Sequence, residues 1–277
     1  MVTILDLGSN SFILLVYEEG RTILEKVYEV GLRSFKDDEE AFCAAKGALT
    51  KIFKEIKDGE VYAFGTAVFR EKPWLFHSLA KDFQLKGKIL SEKEEAYLTY
   101  LCVDPTQKED ITVFDLGGGS LEIVKRDWFV SLELGTHVLN SIFHLSLPEA
   151  RDFDSAVDYV SRQLPHFENA VGVGGSFVAI AALKLGKWDL NLLDGVVLKV
   201  EDVEKIAERL RDMTFEQVLN MKIIPPGREK TIMSGCAVAT AIARKSDIKV
   251  STKGFRYTLA RMIEEGRMPG SGVPGEI

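Results

Sequence analysis

A six-residue phrase occurs twice in this chain. DLGSNS begins at Asp6 and DLGGGS begins at Asp115, 109 residues later. Apolar runs flank each copy, at residues 2–5 and 12–17 around the first and at 111–114 and 121–124 around the second. Short apolar runs bounded by glycine and polar turn residues read as strands joined by a tight turn. A third strand is expected after each pair, over residues 22–32 and 128–134. The pattern of three strands, helix, strand and helix then runs twice. This predicts an α/β protein built from a duplicated unit, with domains over residues 1–108 and 109–277. The last helix is expected to pack back on the first domain. Two such domains predict a cleft between them with the glycine turns facing each other across it, the usual place for a ligand.

The clearest helix follows the first three strands. Ala41, Ala44, Ala45, Ala48, Leu49, Ile52, Phe53 and Ile56 form an apolar stripe at helical spacing. Asp37 or Asp38 is the expected N-cap and Gly59 the expected stop. Further helices are expected over residues 75–82, 92–101, 138–143, 156–164, 203–213, 229–243 and 255–263, with another running from GVGGS to Ala182. Further strands are expected at 61–64, 88–90, 170–173 and 248–250. The tail PGSGVPGEI has loop composition.

Composition excludes several classes of function. The chain has 277 residues, of which 46% are hydrophobic and 28% charged, as in ordinary globular proteins. No apolar run reaches the ~18 residues needed to span a bilayer. The start, MVTILDLGSN, lacks a basic segment ahead of its apolar run and reads as a strand, not a signal peptide. Cys43, Cys102 and Cys236 are far apart and no C-x-x-C occurs, so reduced thiols and a cytoplasmic location are expected. Cys43 flanks the apolar helix stripe and is expected to be at least half-buried. Trp128 and Trp188 are expected to serve packing and not ligand stacking. His77, His137, His144 and His166 lack paired metal-binding spacing. A net charge of −7 argues against a nucleic-acid partner. A polyanionic ligand would need a local positive pocket or a metal ion.

The repeated turns suggest what they hold. Turns without Cβ atoms let backbone N–H groups approach an anion closely, and their serines add hydroxyl donors. Asp6 and Asp115 each end a strand beside such a turn. A carboxylate next to a phosphate cradle makes sense where a divalent cation bridges the two. The plainer alternative is a hairpin turn with a structural aspartate. Ser120 and Glu122 share a strand face, so Glu122 can join Asp115 near a metal; alternatively it is an exposed strand carboxylate. Ser91 and Glu94 form an S-x-x-E capping box, which leaves Glu95 without a local task.

DLGSNSFILLVYE, GTAVFRE, ILSEKEEA, FDLGGGSLEIV, LELGTHVLN, GVGGS and VSTKGFRYTL occur here in one order. Together they resemble the exopolyphosphatase and guanosine pentaphosphate phosphohydrolase family, in its short two-domain form. The resemblance runs from residue 1 to about residue 265 and implies a duplicated actin-like (ribonuclease-H-like) fold. It implies that Glu95 is the catalytic base and that Asp115 and Glu122 hold the divalent ion, expected to be Mg2+, with Asp6 as a further metal candidate. Ser9, with Asn10 beside it, Gly117, Gly118, Gly119 and Ser120 match the phosphate loops. Gly174, Gly175 and Ser176 match a third loop, and Arg70 matches a phosphate-facing arginine. The implied activity is metal-dependent release of terminal orthophosphate from inorganic polyphosphate, or of the 5′ γ-phosphate of guanosine pentaphosphate. A binding or sensor protein with little turnover is the alternative, and an actin-like or sugar-kinase-like ATP user is a third reading. A homodimer is the assembly considered. The chain departs from the family pattern at Ile13, Trp74, Val138, Ser141 and Lys230, where charged or polar side chains are usual.

Overall fold

The computed structural model describes residues 1–56 and 59–267; the PGSGVPGEI tail lies outside the described residues. The chain divides into two compact units, one of Met1–Thr99 with the chain from Phe255 onward, the other of Tyr100–Gly254. No helix among the described residues is long and apolar enough to cross a membrane.

The first unit contains a five-stranded sheet. Its strands are β1 (Val2–Leu7), β2 (Ser11–Glu18), β3 (Arg21–Glu29), β4 (Val61–Gly65) and β5 (Lys86–Ile89), in the order β3-β2-β1-β4-β5. The first three are antiparallel neighbours, whereas β4 and β5 add in parallel. All six residues of β1 are buried, as expected of a central strand covered on both faces. Glu19 and Gly20 both adopt positive φ, which suits the tight turn between β2 and β3. One sheet face packs Leu5, Phe12 and Leu14 against Ala45, Leu49 and Leu79. The other packs Ile4, Leu15 and Phe64 against Phe255 and Leu259 of the helix Phe255–Glu264.

The second unit repeats this plan. Its strands are β6 (Thr112–Leu116), β7 (Leu121–Lys125), β8 (Trp128–Leu132), β9 (Ala170–Val173), β10 (Val197–Leu198) and β11 (Ile248–Ser251). The order β8-β7-β6-β9-β11 matches the first sheet strand for strand, and β10 adds an antiparallel edge. The pairing senses match as well. The duplicated α/β architecture expected from the repeated phrase is therefore present. All twelve residues of the helix Ile232–Ala243 are buried, consistent with its nearly all-apolar sequence.

Several elements differ from the sequence expectation. The helix expected to run to Gly59 is Asp38–Phe53, with Asp37 as its cap. It ends early where Glu55 takes Lys26 and Tyr28 of β3 as partners. Cys43 is exposed because the buried stripe is Ala41, Ala45, Ala48, Leu49 and Ile52, and position 43 falls on the opposite side of that helix. Trp128 and Trp188 are both exposed. Trp128 opens the edge strand β8 opposite Lys125. The helix expected from residue 229 begins at Ile232, after a short 3-10 turn at Arg228–Lys230.

One glycine controls the pairing of β5. Gly87 has φ +129°, and a Cβ there would lie 1.9 Å from the Ala63 carbonyl oxygen on β4. Gly87→Ala should lower unfolding free energy by more than ~2 kcal/mol in urea denaturation. Gly20→Ala is also strained at φ +77°, but nothing lies within 4 Å, so its cost should be only ~1 kcal/mol. Equal costs for the two would show that backbone conformation alone, and not the approach of β4, requires glycine at position 87.

Candidate functional site

The two repeated phrases fold into the same turn. Gly8 N donates to Ser11 O at 3.1 Å, and Gly117 N donates to Ser120 O at 3.0 Å. The carbonyls inside each turn are then drawn to a later segment. Leu32 N reaches Ser9 O at 2.7 Å, and Val30 N and Gly31 N share Asn10 O. In the second unit Thr136 N reaches Gly117 O at 3.0 Å and His137 N reaches Gly118 O at 2.9 Å. With the carbonyls occupied, the amides of Ser9, Asn10, Gly118 and Gly119 donate to no backbone carbonyl among the described residues. Exposed loop amides of this kind form an anion cradle. Gly135 permits the second closure: a Cβ there would lie 2.3 Å from Gly119 C and 2.4 Å from Gly118 C.

The strand pairing places the carboxylates. Asp115 on β6 stands directly opposite Glu122 on β7, and Glu122 stands opposite Ser131 on β8. Ser131 Oγ donates to Glu122 Oε1 at 3.1 Å. Behind Asp115, Gly174 has φ +98°, and a Cβ there would lie 3.1 Å from Asp115 Oδ1. Gly174 thus leaves room for the carboxylate and caps the helix Gly175–Leu185. The Arg228 guanidinium lies over Gly175, where a Cβ would fall 2.1 Å from an Nη. Ser176 is buried, with its Cβ 3.0 Å from the position a Cβ would take on Gly235. The second unit thus brings together Asp115, Glu122, Gly174, Gly175 and Arg228. Sequence suggests Arg228 only as one of several cations that could line a cleft, and does not indicate its contact with Gly175. Its only sequence signal is a cation just after Pro-Pro-Gly, and the glycine it covers lies more than fifty residues earlier.

Among the described residues no three His, Cys, Asp or Glu side chains gather as a metal site. Mg2+ does not need three, because it is commonly held by one or two carboxylates with waters and substrate phosphate oxygens. Asp115 and Glu122, side by side with room at Gly174, fit that requirement. In the first unit the same row is different. Asp6 stands opposite Ile13, and Ile13 opposite Val27. Asp6 is buried, and burial pushes its carboxyl up to about 6, partly opposed by Arg256. Arg256 Nε donates to Glu25 Oε1 at 2.8 Å, and Tyr257 Oη donates to Glu25 Oε2 at 2.6 Å. Asp6 therefore belongs to a charge cluster with an arginine and lacks a neighbouring carboxylate across the strand.

The other first-unit candidates have definite partners. Ser9 Oγ accepts from Val68 N at 3.1 Å and from Arg33 Nε at 3.4 Å, so it ties the turn to two segments, while Asn10 is exposed. The capping box is present, with Ser91 N donating to Glu94 Oε2 at 2.9 Å and Glu94 N to Ser91 Oγ at 3.2 Å. Glu95, in the first turn of the helix Glu92–Val103, pairs with Arg70: Nη1 to Oε2 is 2.7 Å. The same Nη1 donates to Leu90 O at 3.1 Å. Arg70 and the proposed base are thus brought together, a contact the sequence did not indicate.

The raised Asp6 carboxyl has a consequence for stability. An aspartate at its ordinary value loses its proton near 3.8, whereas buried Asp6 keeps it to about 6. Between those values the folded chain binds more protons than the unfolded chain. Stability therefore falls as pH rises through this window and stays lowered above it. Asp6→Asn should raise unfolding free energy at pH 7 by ~1–3 kcal/mol and give no gain below pH 3.8. Urea titrations at the two pH values check this, and a loss at pH 7 would show that ionised Asp6 is stabilising.

Comparison with known proteins bears on the family and the fold. The model of the Ppx/GppA phosphatase family matches residues 33–256. No curated protein matches the chain significantly. The fold is similar to that of an exopolyphosphatase from Cytophaga hutchinsonii, with TM-score 0.82 and 22% identity over 98% of this chain and 99% of that one. It is also similar to the Aquifex aeolicus PPX-GPPA enzyme, with TM-score 0.74 and 22% identity over 93% of this chain and 97% of that one. With the family match covering most of its length, the chain belongs to the Ppx/GppA phosphatase family.

Proposed function

We propose that this protein hydrolyses the terminal phosphoanhydride bond of inorganic polyphosphate and releases orthophosphate. The observation that carries this reading is the Asp115–Glu122 pair, set against Gly174 in the unit that also holds the Gly117–Gly119 turn and Arg228. Exposed amides and a guanidinium suit phosphoryl oxygens, and paired carboxylates suit the cation that accompanies them. A bound Mg2+ would neutralise charge developing on the phosphoryl oxygens. Asp115 and Glu122 would hold it. The amides of Gly118 and Gly119 orient the terminal phosphoryl group. Glu95 takes a proton from the attacking water as its oxygen bonds to the terminal phosphorus. The bond from that phosphorus to the bridging oxygen breaks, and its electron pair leaves with the shortened chain. Arg70 holds Glu95 in place before substrate arrives.

Guanosine pentaphosphate presents the same kind of terminal anhydride and is the second substrate to test. The Arg70–Glu95 pair also favours one other reading, a polyphosphate or alarmone sensor with little turnover, because the base is already engaged. The free thiols of Cys43 and Cys236 suit a reducing compartment such as the cytoplasm.

The test is orthophosphate release, with magnesium, from tripolyphosphate, long-chain polyphosphate, guanosine pentaphosphate and ATP. Release from polyphosphate is expected, and release from none of the four sinks the enzymatic reading. Glu95→Gln should lower kcat by ~10²–10⁴-fold with KM nearly unchanged, the usual contribution of a general base. A variant retaining more than about a third of wild-type turnover would remove Glu95 from that role.

A further inference from the structure

His137 lies on the DLGGGS turn. Its amide is fixed by the 2.9 Å bond to Gly118 O, and the preceding Gly135 packs on the backbone of Gly118 and Gly119. The imidazole edge lies along Gly118: a Cβ there would fall 2.6 Å from His137 Cδ2 and 3.3 Å from Nε2. The residue is exposed, and among the described residues its ring has no hydrogen bond or ion pair. An imidazole nitrogen with donor capacity therefore stands beside the turn whose Gly118 and Gly119 amides lack backbone acceptors.

The duplication supplies an internal comparison. Leu32 occupies the matching place in the first unit, where its amide bonds Ser9 O as the amide of His137 bonds Gly118 O. Leu32 is buried and closes the same turn with an apolar side chain. Closing the turn therefore does not require an imidazole. We infer that His137 is a phosphate ligand of the second turn, donating from its ring to a terminal phosphoryl oxygen of inorganic polyphosphate; this rests on the function proposed above. Among the described residues no carboxylate pairs with the ring, and a hydrogen bond to a charged phosphoryl oxygen is among the stronger kinds.

The test uses the full chain, with tripolyphosphate as the probe. His137→Leu places the first unit's own residue at this position, so the turn should close and the thermal midpoint should be unchanged. Calorimetric titration should show tripolyphosphate binding weakened roughly tenfold to a hundredfold, the range for a hydrogen bond to a charged group. His137→Arg should restore most of the loss, because it supplies a cationic donor of another shape. In the wild type, tripolyphosphate should shift the His137 imidazole nitrogen resonances. Unshifted resonances at saturation, binding too weak to detect in the wild type, or a leucine variant that binds like the wild type would each overturn the inference. A wild type that shifts His137 yet releases no orthophosphate would defeat the enzymatic reading and leave this ligand assignment standing. Unimpaired hydrolysis and binding by His137→Leu would defeat the assignment alone.

Discussion

The closure of a later segment onto each glycine turn is the constraint on which the rest of the site depends. In the second unit, the amides of Thr136 and His137 occupy the carbonyls of Gly117 and Gly118. A peptide group whose carbonyl is held on one side presents its N–H on the other. The turn can therefore offer amides to an anion only while this closure holds. The closure in turn requires Gly135, since any side chain there would overlap the turn backbone. Two backbone hydrogen bonds, a tight turn and one glycine together set the direction of the donors.

The two copies of this device have diverged in what surrounds them. Beside the second turn, one row across three strands reads Asp115, Glu122 and Ser131, with each side chain on the same face. Beside the first, the corresponding row reads Asp6, Ile13 and Val27. Asp6 keeps its place in the repeated phrase but has Arg256 and Glu25 as electrostatic neighbours. Two adjacent carboxylates repel unless a cation lies between them, whereas a carboxylate near a guanidinium already has its counter-charge. In the function proposed above, the second turn takes the cation-dependent role, whereas the first has an arginine beside its aspartate. The first unit contributes the Arg70–Glu95 pair instead.

What could be read from the sequence was what depends on near neighbours in the chain. The glycine turns, the strands around them and the Ser91–Glu94 box each lie within a few residues, and each is present. The duplicated order of strands followed from the repeated phrase. Pairs distant in sequence were not legible. Arg256 and Glu25 are separated by more than two hundred residues, and Arg228 meets Gly175 from more than fifty residues away. Cys43 was expected to be at least half-buried although helical spacing sets it opposite the residues that the helix Asp38–Phe53 buries, and it is exposed.

The asymmetry between the two turns is open to direct measurement. Mn2+ can stand in for Mg2+, and its binding can be followed by loss of the free-ion electron paramagnetic resonance signal. Asp115→Asn and Glu122→Gln should each weaken binding by about tenfold or more, as expected when a carboxylate ligand of a hard cation is replaced by an amide. Asp6→Asn should leave binding within about twofold of the wild type, because its carboxylate already has Arg256 as counter-charge. An Asp6→Asn chain that binds Mn2+ as poorly as Asp115→Asn, or an Asp115→Asn chain that binds like the wild type, would contradict the assignment of the ion to the second turn.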